Sequence, residues 1–375
     1  MMEDLLLSAR KLPAVPARAA EDYSRKAGAL AERVNAAMES RADLAVLIGR
    51  NAVELMRADH ENHAAFMANV LRLNAFELHA RTCVWSYRAC RGHGFSYDYF
   101  PIAFDCWRRA VESELAPGQA EPIAGIYRWM IDRHAMFIAA AGEAPSSEPS
   151  LDPRWAQARR LLLARLLEGD SAEALLLGRS IVQKEADLEG FFLEVLQPVM
   201  KEIGSRWERG QTSVAEEHLA SAVAGRMITV LYTDFVVQKS SRGTIVVTSA
   251  PNEFHELGAW MVSDLLELDG WRVKYLGANT PTQDLIALLA RERPAALCVS
   301  VTMSFNLERA RALISAVRAR PELNSVRIVV GGLPFQEQPD LGQAIGADET
   351  FLDAREGVRR LRRLGPDPSK DDERP

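Results

Sequence analysis

The sequence predicts a multidomain α and α/β protein. It has an all-helical N-terminal domain, a four-helix bundle, and a C-terminal doubly wound domain with a parallel five-stranded sheet. Three observations carry this. Apolar residues recur at helical spacing from about Leu5 to Phe235. The period changes at Thr244, where short β-branched runs begin to alternate with helical stretches. Between the two helical parts lies "GEAPSSEPSLDP" (142–153), whose Pro/Ser composition marks a linker.

In the first part, "LAVLIGRNAVELM" and "FMANVLRLNAFELHARTCVW" show helical periodicity, with breakers at "RGHG" (91–94) and "APG" (116–118). The second part runs from Arg154 to Phe235. Its helices are expected to end at "EGDS" (168–171), near "LEG" (188–190) and at "ERGQTS" (208–213). Gly169 and Gly210 suit helix C-termini, and Ser171 and Ser213 suit the N-caps that follow. In the third part "TIVVTSA", "RVKYLG", "ALCVSVT", "RIVVGG" and the weaker "ETFLD" read as strands. They alternate with helices such as "ELGAWMVSDLLEL", and βαβ repetition predicts a parallel sheet. The expected domains are 1–145, 150–236 and 242–362, with a disordered tail at 363–375 ("GPDPSKDDERP" and its approach).

The 375 residues are ample for several cores, and the net charge of -6 argues against a general nucleic-acid surface. No apolar run reaches the ~20 residues that cross a bilayer. The N-terminus lacks a basic segment before its apolar residues, so a cytoplasmic protein is expected. Cys83, Cys90, Cys106 and Cys298 form no CxxC pair, so neither a disulfide framework nor a zinc knuckle is indicated.

In doubly wound sheets, ligands bind beyond the carboxyl ends of the strands. The first strand is followed by Glu253, His255 and Gly258. The second leads to "LGANTP", which contains Thr280. The third carries Ser300 and Thr302, and the fourth ends in Gly331 and Gly332. Small residues and hydroxyls at several strand ends suit a large flat ligand; a GxGxxG fingerprint and a Walker loop are both missing. By itself, His255 is compatible with a packed core residue, a general base or a metal ligand.

Taken in order, "E253-x-H255-x-x-G258", "S300-V-T302" and "G331-G332" resemble the cobalamin-binding Rossmann-like (flavodoxin-like) module. That family's pattern is Asp-x-His-x-x-Gly, then Ser-x-Leu or Ser-x-Thr, then Gly-Gly. The resemblance implies that His255 is the lower axial cobalt ligand (base-off, His-on), with the displaced nucleotide tail passing Gly258, Thr280, Ser300, Thr302, Gly331 and Gly332. Imidazole suits cobalt, and a carboxylate on the other ring nitrogen would fix its tautomer. Glu253 stands where Asp is commoner. Upstream, "W207-ERGQTSVAE-E217-H218" resembles the helix-bundle cap of light-sensing, adenosylcobalamin-dependent repressors of the CarH type. This implies that Trp207 and Val214 cover the adenosyl group and that Glu217 and His218 hold its ribose or cap the cobalt face. Those repressors have a histidine directly after the tryptophan; here the residue is Glu208.

Five of the seven histidines lie between His60 and His134, beside three of the four cysteines and the cluster "W85-S-Y87-R-A-C-R-G-H93-G-F95-S-Y97-D-Y99-F100". Phe76, His79, Cys83, Tyr87 and Cys90 share one helix face. One reading is an aromatic core or dimer face. Another is a tetrapyrrole pocket with aromatic walls and Arg81, Arg88, Arg91 or Arg108 for its propionates. A helical, globin-like domain of this size joined to a CarH-type unit resembles the photocobilins, photoreceptors that carry biliverdin beside adenosylcobalamin. By side-chain character the bilin candidates are His79, Cys83 (a thioether anchor), Tyr87, Arg88, Tyr97, Tyr99, Trp107 and His134. Heme competes for the same fold, with His79 or His134 as proximal ligand.

The resemblance implies a photoreceptor rather than an enzyme. Its output would be a light-dependent change of homo-oligomer or of contact with an effector protein, with no direct nucleic-acid or membrane partner. Two alternatives use the same folds: a methylcobalamin-loaded corrinoid carrier for a methyltransferase, and a cobalamin-responsive regulator acting through protein partners.

Overall fold

The computed structural model describes residues 1–143, 152–235 and 242–364. Most of the Pro/Ser linker and nearly all of the C-terminal tail lie outside the described residues. By packing, the chain forms two units: Met1–Glu148 with Arg206–Gln211, and Pro149–Ser205 with Thr212–Pro375.

The first unit contains α1 (Met2–Ala9), α2 (Ala17–Glu39), α3 (Leu44–Ile48), α4 (Val53–Leu73), α5 (Phe76–Gly92), α6 (Tyr99–Glu114), α7 (Pro117–Asp132) and α8 (His134–Gly142). Helix α2 packs against α4 and α6, α6 against α7, and α5 against α8. The predicted breakers act as boundaries: Pro117 is the first residue of α7, where its missing N–H has no helical partner to lose. Trp107, Tyr23, Tyr87, Tyr127, Phe95 and Phe137 are fully buried. The aromatic residues that mark this segment in the sequence therefore build its core, each fully buried ring contributing about 1.5–3 kcal/mol or more.

In the second unit, the bundle comprises α9 (Ala156–Glu168), α10 (Ser171–Ile181), α11 (Glu185–Phe191), which runs through a π-helical turn (Phe192–Leu196) into α12 (Gln197–Glu208, its last three residues grouped with the first unit), and α13 (Val214–Thr233). Gly169 is the left-handed C-cap of α9, as expected. The cap of α10 is Asp170, which accepts from the Glu173 amide (3.1 Å), and not Ser171. Ser213 and Glu216 form a capping box at α13. The break expected near "LEG" is absent: Leu188, Phe191, Phe192 and Val195 are all buried, and the π turn keeps them on the core face.

The sheet follows: β1 (Thr244–Ser249), α14 (Leu257–Leu268), β2 (Arg272–Tyr275), α15 (Thr282–Glu292), β3 (Ala296–Ser300), α16 (Leu307–Arg318), β4 (Arg327–Gly331), α17 (Leu333–Glu337), α18 (Leu341–Ala344), β5 (Glu349–Phe351) and α19 (Ala354–Leu361). The order is β2-β1-β3-β4-β5, all pairs parallel. The register places Ser249 beside Ser300 and Ser300 beside Gly331, so the predicted motif residues gather at one sheet edge. One sheet face (Ile245, Val247, Ala296, Cys298, Val329) packs on Ala259 and Leu266 of α14 and Leu361 of α19. Met261 and Leu265, on another face of α14, complete the bundle core. Helix α14, packed into both cores, therefore joins bundle and sheet into one unit.

Candidate functional site

Beyond Ser249 the chain turns through Ala250 and Asn252, the latter in the left-handed region (φ 64°), which asparagine tolerates. This turn aims Glu253 inward and His255 outward. Glu253 is 1% exposed and the His255 ring 58% exposed. Glu253 Oε1 accepts from His255 Nδ1 at 2.6 Å. Glu253 Oε2 accepts from the amides of Thr302 (2.9 Å) and Met303 (2.8 Å) and from Asn306 Nδ2 (3.2 Å). The longer glutamate arm thus reaches both the histidine and the loop after β3.

Burial alone would raise the Glu253 pKa, but the hydrogen bonds from His255 and the loop amides outweigh it and hold the carboxyl at about 2. The bond to Glu253 raises the His255 pKa against the effect of burial, and the charge of Glu217 on α13 adds to the pull. Nδ1 therefore carries a proton toward Glu253, leaving Nε2 as the outward-facing lone pair. This is the donor arrangement a metal-ligating histidine needs.

The surroundings fit a flat, largely apolar ligand. Phe254 is 67% exposed beside His255, and Val214 is exposed at the start of α13. Space is open where a Cβ would stand on Gly258. Ser249 Oγ is buried without a partner among the described residues, on the sheet face that carries Ser300 and Gly331. Gly332 has φ 116°, and a Cβ there would overlap the Val301 carbonyl, so only glycine lets the ends of β3 and β4 approach this closely. Thr280 Oγ1 accepts from Thr248 Oγ1 (3.2 Å), closing the far side of β1. Thr302 contributes its backbone N–H to Glu253 rather than only a hydroxyl.

Glu217 and His218 lie on the first turn of α13. Glu217 accepts from Ser221 Oγ (2.8 Å), and His218 Nε2 stands 3.6 Å from Glu217 in an exposed position. Trp207 packs inside the N-terminal unit, 4.8 Å from the His93 ring and 6.4 Å from Trp85. Sequence reasoning did not single out Asn306, which is fully buried and bonded to both Glu253 and the Asn252 carbonyl. An asparagine in "SFN" carries no sequence signal of burial. Ser249 and Asn252 were equally silent.

Among the N-terminal candidates, most are engaged by protein. Tyr87 OH pairs with His134 Nδ1 (2.9 Å) and stacks on Phe100. Tyr99 OH pairs with His60 Nε2 (2.8 Å), Trp107 packs on His63, and Tyr97 lies under Arg91. Arg88 donates to the Ala141 carbonyl (3.1 Å). Arg108 is bound to Asp105 and Glu112, which removes it as a free propionate partner. Burial pushes the Cys83 thiol well above its ordinary range, the opposite of an activated anchor. His79 differs: it is 0% exposed, and neither ring nitrogen has a partner among the described residues. Burial lowers its pKa to about 4, so the ring is neutral.

A histidine–carboxylate pair at the carboxyl edge of a parallel sheet, under a helix bundle packed on α14, defines a corrinoid-binding module. Residues 158–232 and 243–362 each match a B12 binding domain model. Two Myxococcus xanthus proteins are similar. The HTH-type transcriptional repressor CarA is 26% identical over 234 residues, 61% of this chain and 76% of that protein. The HTH-type transcriptional repressor CarH is 34% identical over 118 residues, 31% of this chain and 38% of that protein. In fold, the Methanosarcina barkeri monomethylamine corrinoid protein superposes with a TM-score of 0.50 at 18% identity, covering 56% of this chain and 99% of that one. The chain therefore carries a cobalamin-binding module of the kind found in these regulators and corrinoid proteins. Among the described residues no helix is long and apolar enough to cross a membrane.

Proposed function

We propose that the protein is a light sensor that holds adenosylcobalamin between the helix bundle and the sheet, with His255 as the lower ligand. The observation that carries this is the His255–Glu253 pair, in which Nδ1 faces the carboxylate and Nε2 is the ring nitrogen left for a ligand. When bound, the cofactor supplies a cobalt–carbon bond that visible light breaks. Glu253 fixes the tautomer of His255 and ties it to the β3 loop. Ser249, Ser300, Gly331 and Gly332 line the path for the nucleotide tail. By motif position Trp207, Val214, Glu217 and His218 face the upper ligand, and His218 is the nearest candidate to take its place. Loss of the upper ligand would alter how the bundle packs on Leu257, Trp260, Met261 and Leu265 of α14, and a packed interface of this kind has discrete arrangements. The output is a change of homo-oligomer or of contact with an effector protein.

The N-terminal domain is proposed to be globin-like and to hold a second chromophore, biliverdin in preference to heme. Support comes from His79, a buried neutral imidazole whose two nitrogens await a partner. The corrinoid-carrier alternative rests on the fold shared with the methylamine corrinoid protein. The test is an absorption spectrum of the chain loaded with adenosylcobalamin and biliverdin, before and after green light. Cobalamin bands that shift with light, beside a red band, support the proposal. An unchanged cobalamin spectrum overturns the light sensor, and tighter binding of methylcobalamin than adenosylcobalamin favours the carrier.

A further inference from the structure

Asn306 stands at the N-cap of α16, where an asparagine side chain ordinarily accepts from the first free amides of the helix. Here it makes no capping bond. Its amide turns back instead and bridges the two loops of the site. Asn306 Nδ2 donates to Glu253 Oε2 at 3.2 Å and to the Asn252 carbonyl at 3.1 Å. Asn306 Oδ1 accepts from Arg309 Nη1 at 3.1 Å and from Asn252 Nδ2 at 3.4 Å. Arg309 is the third residue of α16. A cation in the first turn opposes the helix dipole, and a capping box would place Glu or Gln there. Among the described residues, the Arg309 guanidinium pairs with no carboxylate.

The directions of these bonds follow from what each group can do. A guanidinium only donates, and an ionised carboxylate only accepts. The Asn306 amide lies between the two, its oxygen toward Arg309 and its nitrogen toward Glu253. Turned over, it would set its oxygen against the carboxylate and its NH2 against the guanidinium. Arg309 therefore favours the one orientation that gives Glu253 a side-chain donor from the β3 loop. It also places a positive charge one amide away from a carboxylate that is 1% exposed. That charge matters when His255 gives Nε2 to a metal. The ring is then neutral, and a buried carboxylate without a cation beside it is costly. Asn306 is 0% exposed, and an amide polarised from both ends inside a protein binds each end more strongly.

We propose that Arg309 is a positioning residue for the lower ligand. It acts through Asn306 on Glu253, and so keeps the His255 proton on Nδ1 and leaves Nε2 open. This rests on the reading that His255 binds cobalt, and it extends the hold on that histidine to a half-buried side chain of α16. The effect of Arg309 on His255 passes through one buried amide, so substitutions at Arg309 and Asn306 are not independent.

The test uses the full chain with Arg309→Met, Arg309→Lys, Asn306→Ala, and Arg309→Met combined with Asn306→Ala. Imidazole 15N shifts of the cofactor-free chain at alkaline pH report which nitrogen of His255 carries the proton; comparison with His255→Ala identifies its signals. Absorbance titration in the dark gives the affinity for adenosylcobalamin. The wild type is expected to hold the proton on Nδ1. Arg309→Met is expected to move part of it to Nε2 and to weaken affinity about three- to tenfold, the worth of one hydrogen bond. Arg309→Lys should keep most of both, since an ammonium also only donates. In the Asn306→Ala background, Arg309→Met should change affinity by less than about twofold. Wild-type tautomer and affinity in Arg309→Met overturn the proposal, and so does an equal loss in the Asn306→Ala background. If Asn306→Ala does not fold, the Arg309→Met and Arg309→Lys chains decide by themselves. The underlying reading fails separately: cobalt(II) cobalamin bound to the wild type would then show no coupling to a histidine nitrogen, whatever the tautomer of the cofactor-free chain.

Discussion

Glu253→Gln probes the centre of the account with little change of shape. The carboxylate gives one oxygen to His255 and the other to three donors of the β3 loop. An amide has one acceptor oxygen. If that oxygen faces the loop, the amide NH2 faces His255 Nδ1, and the proton moves to Nε2, where it blocks metal ligation. If it faces His255, the NH2 points at two backbone N–H groups. The folded Glu253 carboxyl lies at about 2. Against ~4.3 for an ordinary glutamate, at about 1.4 kcal/mol per pKa unit, this corresponds to roughly 3 kcal/mol of stability. Because the folded pKa is depressed, that stability is present above about pH 4.3 and is lost as pH falls toward about 2. Urea unfolding should therefore show Glu253→Gln destabilised by roughly 2–4 kcal/mol at pH 7, the gap closing in acid. Cobalamin titration by absorbance should show affinity lower by about 10–100-fold, as for other carboxylates behind a ligating histidine. An unfolding midpoint equal to wild type together with affinity within twofold would refute the reasoning.

The other predictions touch separate parts of the molecule. His255→Ala should abolish the His-on spectrum and weaken cobalamin binding while leaving the fold intact, since the ring is largely exposed; circular dichroism and a titration check both. Asp264, buried in α14 with Oδ2 unpartnered, has its pKa raised by burial to about 8. A raised carboxyl pKa means that stability is full below about pH 4 and falls as pH rises through about 8, so Asp264→Asn should raise the melting temperature at pH 8 more than at pH 5. The limit set by the four-unit shift is roughly 5 kcal/mol. His79→Leu should stabilise the ligand-free chain by about 1–3 kcal/mol, the penalty of an unpaired buried polar group. If the N-terminal domain holds biliverdin as proposed, adding biliverdin should raise the melting temperature of the wild type and not that of this variant.

The α/β domain was legible because period and punctuation agree there. β-branched runs, helix-spaced apolar residues and strand-end glycines all point to one parallel sheet, and the register then places Ser249, Ser300 and Gly331 side by side. The position of His255 beyond the carboxyl end of β1 was legible in the same punctuation. What the sequence could not give was the direction of side chains. Glu253 turns inward and Asn306 is buried only because of how two loops after β1 and β3 meet. Reading "LEG" as a helix end failed because a π turn absorbs the mismatch and keeps Phe191 and Phe192 in the core. The placement of Trp207 against His93 was invisible, because it depends on two glycines, Gly92 and Gly210, far apart in the chain. In the N-terminal domain, aromatic composition did not show which polar rings are satisfied; hydrogen bonds engage Tyr87, Tyr99 and His134, while neither nitrogen of His79 has a partner among the described residues.

The most direct test of the central claim is electron paramagnetic resonance of the chain bound to cobalt(II) cobalamin, prepared with ordinary and with 15N-labelled histidine. Coordination by His255 predicts that each cobalt line, split into three by a 14N ligand, is split into two in the labelled protein. It also predicts that His255→Ala removes this change. A splitting that stays threefold with labelled histidine would mean that the cofactor's own base holds the cobalt, and would contradict the account.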